Sequence, residues 1–272
     1  MTPMTPMTWK ITGNTRLYAI IADPVAQVKT PEVLNDYFRR NELDAVLVPM
    51  HVGADGLKDA FAAFRRMKNL GGVIVTVPHK TTSAALCDEL RPAGQMIGSV
   101  NAIRRTRDGR LVGDMFDGAG FVSGLRAQGR DPAGRRVLLV GAGGAASAIA
   151  FALAQARVAS LTIANRSADK AQALVARLRT AFPGVNVDVG AADPQGKEMV
   201  VNATSLGMKE SDPLPLDVSH LSPDTIVAEV IMKPETTALL AAAREKGCTI
   251  HHGRHMLDEQ VRLLAEFITA EV

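Results

Sequence analysis

The sequence predicts an α/β protein with largely parallel sheets. Two observations predict it: short β-branched runs alternate with helix-period segments through most of the chain, and one such run feeds a glycine turn and then a helix. Strands are expected at 17–22, 45–51, 72–76, 100–104, 136–140, 160–164, 185–189, 199–202, 225–230 and 249–251. Helices are expected between them at 31–40, 54–68, 81–86, 118–128, 145–155, 168–181 and 236–246, with a last one at 256–270. The opening "MTPMTPMTWK" repeats Met-Thr-Pro without an apolar core, so it reads as a loose tail rather than a signal peptide. The polar, turn-rich stretch "AQGRDPAGRR" at 127–136 suggests a boundary before a fresh strand.

The bulk numbers narrow the function classes. At 272 residues the chain fits one large domain or two ordinary ones, and 47% hydrophobic with 22% charged residues is a globular composition. No apolar run reaches the roughly 18 residues that a membrane span needs. With no export signal, the cytoplasm is the expected compartment. Cys87 and Cys248 are then expected as reduced thiols. The net charge of +3 is scattered, with no long basic run and no basic–aromatic interleaving, which argues against nucleic acid as a partner. His251, His252 and His255 cluster, but no acidic or cysteine ligand completes a metal site there. They are expected at the rim of a cleft near Gly253, with no metal.

Two stretches carry chemistry. In "RVLLVGAGGAASAIAFAL", a strand runs into Gly141, Ala142, Gly143, Gly144 and Ala145, and Ala146 lies in the helix that follows. This is the strand–GxGxxA–helix form of a Rossmann dinucleotide turn. Gly141 allows the tight turn, Gly143 admits a pyrophosphate, and the helix N-terminus offers N–H groups to it. The next strand ends in "NRSADK", where Asn165, Arg166, Ser167 and Lys170 stand in place of the acidic residue that binds a ribose 2′-hydroxyl in NAD-selective sites. Arg166 suits a 2′-phosphate, so NADP is expected rather than NAD. The other stretch is "GVIVTVPHK", a buried strand that stops at a proline and delivers Lys80.

Together these stretches resemble the shikimate dehydrogenase family, with its quinate/shikimate paralogues, over nearly the whole chain. "YAIIADPVAQVKTPEVLN", "GVIVTVPHK", "IGSVNAIRR", "GDMFDGAGF", "GAGGAASA", "NRSADK", "VNATSLGM" and "GRHMLDEQ" match its motifs in order. The resemblance implies an N-terminal α/β substrate-binding domain at 1–117, completed by a C-terminal helix at 254–272. A Rossmann-type NAD(P)-binding domain at 118–253 would complete the fold, with the active site in the cleft between the two. It implies a dehydrogenase of a shikimate- or quinate-like cyclic hydroxy acid, with Lys80 and Asp117 catalytic. Thr30, Thr76, Asn101, Met232 and Gln260 would bind substrate. Thr204, Val230 and Gly253 would join the glycine turn and "NRSADK" around the cofactor. The expected partner is a small molecule, with no membrane or nucleic acid, and the chain is expected as a monomer or homodimer. Ketone reduction leaves negative charge on oxygen, which a nearby ammonium stabilises and protonates. The alternative is a non-catalytic sensor on the same fold, against which the retention of both Lys80 and Asp117 counts.

The departures from the family pattern concern the substrate. Val28 and Thr30 stand where two hydroxyl side chains usually meet a carboxylate, and Ile74 replaces an asparagine. Met115 and Phe116 replace Asn-Thr, Met232 replaces a tyrosine, and Glu229 an aspartate. One charged hydrogen bond contributes roughly 1.5–3 kcal/mol, so losing it at Val28 would weaken carboxylate binding about ten- to a hundred-fold. The expectation is retained chemistry with altered substrate recognition.

Overall fold

A computed structural model describes residues 10–270, and the loose tail expected at the N-terminus lies largely outside them. The chain divides into two compact units, 1–114 with 264–272 and 115–263. The segment at 127–136 lies inside the second unit, where it links a helix to a strand.

The first unit runs β1 (Arg16–Ala22), α1 (Thr30–Arg40), β2 (Ala45–His51), α2 (Leu57–Arg66), β3 (Leu70–Val75), α3 (Lys80–Leu86), β4 (Glu89–Leu90), α4 (Pro92–Ile97), β5 (Ala102–Arg105) and β6 (Leu111–Asp114). Its sheet has the order β2-β1-β3-β5-β6-β4. β1 lies centrally, parallel to both β2 and β3, so its face-to-face burial demands the continuous apolar run Ala19–Ala22. β5 runs antiparallel to β3 and β6, which makes this sheet mixed rather than parallel throughout. The reversal is local: β5 and β6 form a hairpin closed at Gly109, whose φ of +89° favours glycine. β4, α4 and β6 escape sequence reasoning because each is too short to show a period. α1 carries Pro31 in its first turn, Arg39 and Arg40 in its last, and buries Leu34 and Phe38 one turn apart. At Gly71 a Cβ would meet the Tyr18 ring at 2.5 Å, so glycine there makes room for the tyrosine.

The second unit runs α5 (Asp117–Ala127), β7 (Arg136–Val140), α6 (Gly144–Gln155), β8 (Ser160–Ala164), α7 (Ala168–Ala181), β9 (Asn186–Val189), β10 (Met199–Asn202), β11 (Ile226–Glu229), α8 (Ala238–Glu245), β12 (Thr249–His251) and α9 (Arg254–Thr269). The division between the units falls within α9, after Leu263. Every strand pair in this sheet is parallel, in the order β12-β11-β10-β7-β8-β9. Counted from β7, that is the doubly wound dinucleotide-binding order 3-2-1-4-5-6. β7 lies at the switch point, where the order reverses and ligands bind. No described helix is long and apolar enough to cross a membrane.

Candidate active site

In the first unit, Thr76, Lys80 and Asn101 collect where β3, α3 and β5 meet. Thr76 follows β3 directly, and its N–H donates to Ile21 O at 3.2 Å. Lys80 opens α3, half-buried, and its carbonyl accepts from Val100 N at 3.0 Å. Asn101 is 4% exposed and is held by its backbone on both sides: Val75 N donates to its carbonyl at 2.9 Å, and its N–H donates to Asp114 O at 3.0 Å. The backbone thus brings Thr76, Lys80 and Asn101 to one end of the central strands β3 and β5. Between Thr76 and Lys80, His79 is buried, with Nε2 2.6 Å from Val52 O. That histidine anchors the turn before the lysine; sequence reasoning missed it, because its partner is remote in the chain.

Thr30 opens α1, half-buried, next to Val28 and Lys29. Lys29 is exposed beside them, its Nζ 3.5 Å from Glu32 Oε1. His51 lies 2.8 Å from Asp23. Ile74 is buried in β3.

In the second unit, Asp117 is the first residue of α5 and is 7% exposed. Gln260 of α9 donates from Nε2 to Asp117 Oδ1 at 2.6 Å. Glycines on α5 explain the reach of α9. A Cβ at Gly120 would lie 2.8 Å from Gln260 Cβ, and one at Gly124 would lie 2.6 Å from His255 O. The motif "GDMFDGAGF" therefore encodes the acid together with the small residues that let its partner approach.

The glycine turn has the geometry a dinucleotide requires. Gly141 has φ +123°, and a Cβ there would meet Ala203 O at 2.9 Å. At Gly143 and Gly144 no atom lies within 4 Å of an added Cβ, which leaves the open backbone that a pyrophosphate approaches. Ala142 and Ala145 are half-buried beside them, and Ala146 is fully buried against the sheet. A cavity of about 510 Å³ lies beside this turn, lined by Val140, Asn165, Arg166, Thr204, Ser205 and Leu206 among others. Arg166 is exposed on its rim, and no carboxylate lines it. Asn165 donates from Nδ2 to Ser167 O at 2.9 Å and so shapes the β8–α7 turn. Ser167 and Lys170 stand outside the cavity lining, Lys170 exposed on α7. Val230 donates its N–H to Asn202 O at 3.3 Å, and at Gly253 a Cβ would meet Ile231 O at 2.4 Å. Met232 is 47% exposed.

The histidines correct one expectation. His251 is fully buried rather than at a rim: Arg130 Nη1 lies 3.0 Å from its Nδ1, and Phe121 packs edge-on against its ring. Burial first, then the positive neighbours His255, Arg130 and His252, push its pKa down to about 3. His252 bonds the Glu235 carbonyl at 2.8 Å. Cys87 and Cys248 are free thiols, and burial pushes Cys87 up to about 12.

A parallel sheet in this order, with a glycine turn and an adjoining cavity at its switch point, defines a Rossmann-type dinucleotide-binding unit. A family model for the shikimate dehydrogenase substrate binding domain matches residues 20–103, and one for shikimate / quinate 5-dehydrogenase matches residues 126–205. Shikimate dehydrogenase (NADP(+)) of Rubrobacter xylanophilus is 39% identical over 256 residues, covering 91% of this chain and 88% of that protein. Shikimate 5-dehydrogenase of Listeria monocytogenes, solved with shikimate and NAD, superposes with TM-score 0.89 at 33% identity, covering 96% of this chain and 93% of that one. The ligand-free 5-ketofructose reductase of Gluconobacter superposes with TM-score 0.87 at 32% identity, covering 94% and 93%. The chain belongs to the shikimate dehydrogenase family. It is an oxidoreductase of the shikimate/quinate dehydrogenase type.

Proposed function

We propose that the protein interconverts a secondary hydroxyl and a ketone on a shikimate- or quinate-like cyclic hydroxy acid, with Lys80 handling the proton and Asp117 binding the reacting hydroxyl. The observation that carries this is the retention of Lys80, Asp117 and Gln260 in their motifs, with the Asp117 carboxylate held by Gln260 at 2.6 Å. Bound NADPH supplies the hydride. Lys80 stabilises the developing oxyanion as an ammonium and delivers its proton from Nζ; in oxidation, its neutral amine accepts the hydroxyl proton. Asp117 accepts a hydrogen bond from the reacting hydroxyl and orients it, while Gln260 limits the rotamers of that carboxylate. Thr76 and Asn101 bind the neighbouring hydroxyls. The open glycine backbone holds the pyrophosphate, and Arg166 pairs with the 2′-phosphate.

A second reading concerns the substrate. Val28 offers no donor, and Met232 is apolar and exposed. These features favour a polyhydroxy ketone without a carboxylate, of the kind named in the Gluconobacter reductase. Lys80→Ala tests the mechanism: kcat should fall at least a hundred-fold while NADPH still binds by fluorescence titration. Near-normal kcat in the variant would remove Lys80 from the chemistry, and binding without turnover in the unmodified protein would favour a sensor. Shikimate, quinate and 5-ketofructose, assayed side by side by reduced-cofactor absorbance, separate the two substrate readings.

A further inference from the structure

The ends of β10 and β11 hold a buried polar network whose centre is a carboxylate. Glu229 and Asn202 are both fully buried, and the parallel register places them side by side. Asn202 Nδ2 donates to Glu229 Oε1 at 3.0 Å, to Oε2 at 3.1 Å, and to Leu206 O at 3.0 Å. Thr237, 1% exposed, donates from Oγ1 to Glu229 Oε1 at 2.9 Å. On its other side, Asn202 Oδ1 accepts from Thr204 N at 3.1 Å and Thr204 Oγ1 at 2.7 Å. Thr204 Oγ1 in turn accepts from Leu206 N at 3.1 Å. The chain from Asn202 to Leu206 is thus folded around one amide, and that amide is oriented by one carboxylate.

Burying a carboxylate is costly before any partner is counted, so a fold keeps one where its directed bonds matter. Burial here raises the Glu229 pKa, against the opposing effects of Asn202 and Thr237. The bonds end at a functional surface: Thr204, Ser205 and Leu206 form one wall of the cavity beside the glycine turn. Ala203, within the same segment, lies against Gly141.

We infer that Glu229 is a positioning residue for the cofactor, which through Asn202 fixes the Thr204, Ser205 and Leu206 wall of the cavity. This rests on reading that cavity as part of the NADP site. Glu229→Gln keeps the volume but turns an amide N–H₂ toward the Asn202 amide, so one donor loses its acceptor. KM for NADP should rise about five- to twenty-fold, with kcat within about two-fold of wild type. Adding Asn202→Asp returns an acceptor opposite the new amide and should recover part of the loss. A purely structural role moves only the melting temperature. Unchanged NADP KM in Glu229→Gln, or a double variant worse than the single one, overturns the inference. Should Glu229→Gln fail to fold, Thr237→Val removes one bond to the carboxylate together with the cap bond that Leu240 N donates to Thr237 Oγ1, and should raise NADP KM two- to five-fold. An unchanged KM there also overturns it. NADPH fluorescence on the unmodified protein separates the layers: no binding sinks the cavity reading and the inference together, whereas binding with unaltered variants sinks the inference alone.

Discussion

Substituting Gly120 by alanine should uncouple Gln260 from Asp117. The added Cβ would lie 2.8 Å from Gln260 Cβ, 3.0 Å from Met256 O and 3.1 Å from Gln260 Cα. Carbon contacts are comfortable at roughly 3.5–4.0 Å, so α9 must withdraw by about 0.7 Å or more. The three obstacles are a Cβ, a carbonyl oxygen and a Cα, none of which a rotamer change moves. The same withdrawal stretches the 2.6 Å bond from Gln260 to Asp117 to the edge of hydrogen-bonding range. Losing a bond to a charged group costs about 1.5–3 kcal/mol, a fall of roughly ten- to a hundred-fold in kcat/KM if it serves the transition state. Overpacking adds about 1–3 kcal/mol of destabilisation, several degrees in Tm for a chain of this size. The assay is steady-state kinetics on wild type, Gly120→Ala, Gln260→Ala and the double variant. If the steric path is right, Gly120→Ala costs little further activity once Gln260 is gone. Full additivity, or Gly120→Ala with kcat/KM within two-fold of wild type, would refute the reasoning.

Arg166→Ala should raise NADP KM at least ten-fold and leave NAD kinetics nearly unchanged if, as proposed, the exposed guanidinium pairs with the 2′-phosphate; equal effects on both cofactors would place Arg166 elsewhere. Val28→Ser should lower KM for shikimate about ten-fold with kcat unaltered, since a carboxylate partner binds ground and transition states alike. No gain would mean that the substrate presents no carboxylate at this corner. His251 should make stability depend on pH. Its pKa is about 3 when folded against 6.5 unfolded, so its contribution is complete above pH 6.5 and is lost as the pH falls from 6.5 towards 3. The slope approaches about 1.4 kcal/mol per pH unit, so Tm should drop more between pH 6.5 and 5 in wild type than in His251→Gln. Identical pH profiles for the two proteins would remove His251 as the source.

Local pattern was enough to reveal the α/β class, the bounds of β7, β8, β10 and β12, the glycine turn and Arg166. Those features rest on neighbours in the chain: an apolar run long enough to cross a sheet, glycines spaced for one turn, and a strand end that lacks a carboxylate. Lys80 was conspicuous as a cation placed directly after a buried strand and a proline, and its motif gave it a role. Elements too short for a period, β4, α4 and β6, were visible only in their pairing, because a two- to six-residue segment is stabilised by the sheet or helix beside it. The three-dimensional fold alone decided that Gly120 makes room for Gln260 and that His251 is buried. It also turned Glu229, in the sequence merely a departure from an aspartate, into the anchor of Asn202. Each of these depends on a contact between residues whose separation in the chain carries no signal. Sequence periodicity reports which face is buried; what lies against that face is set only when the strands and helices pack.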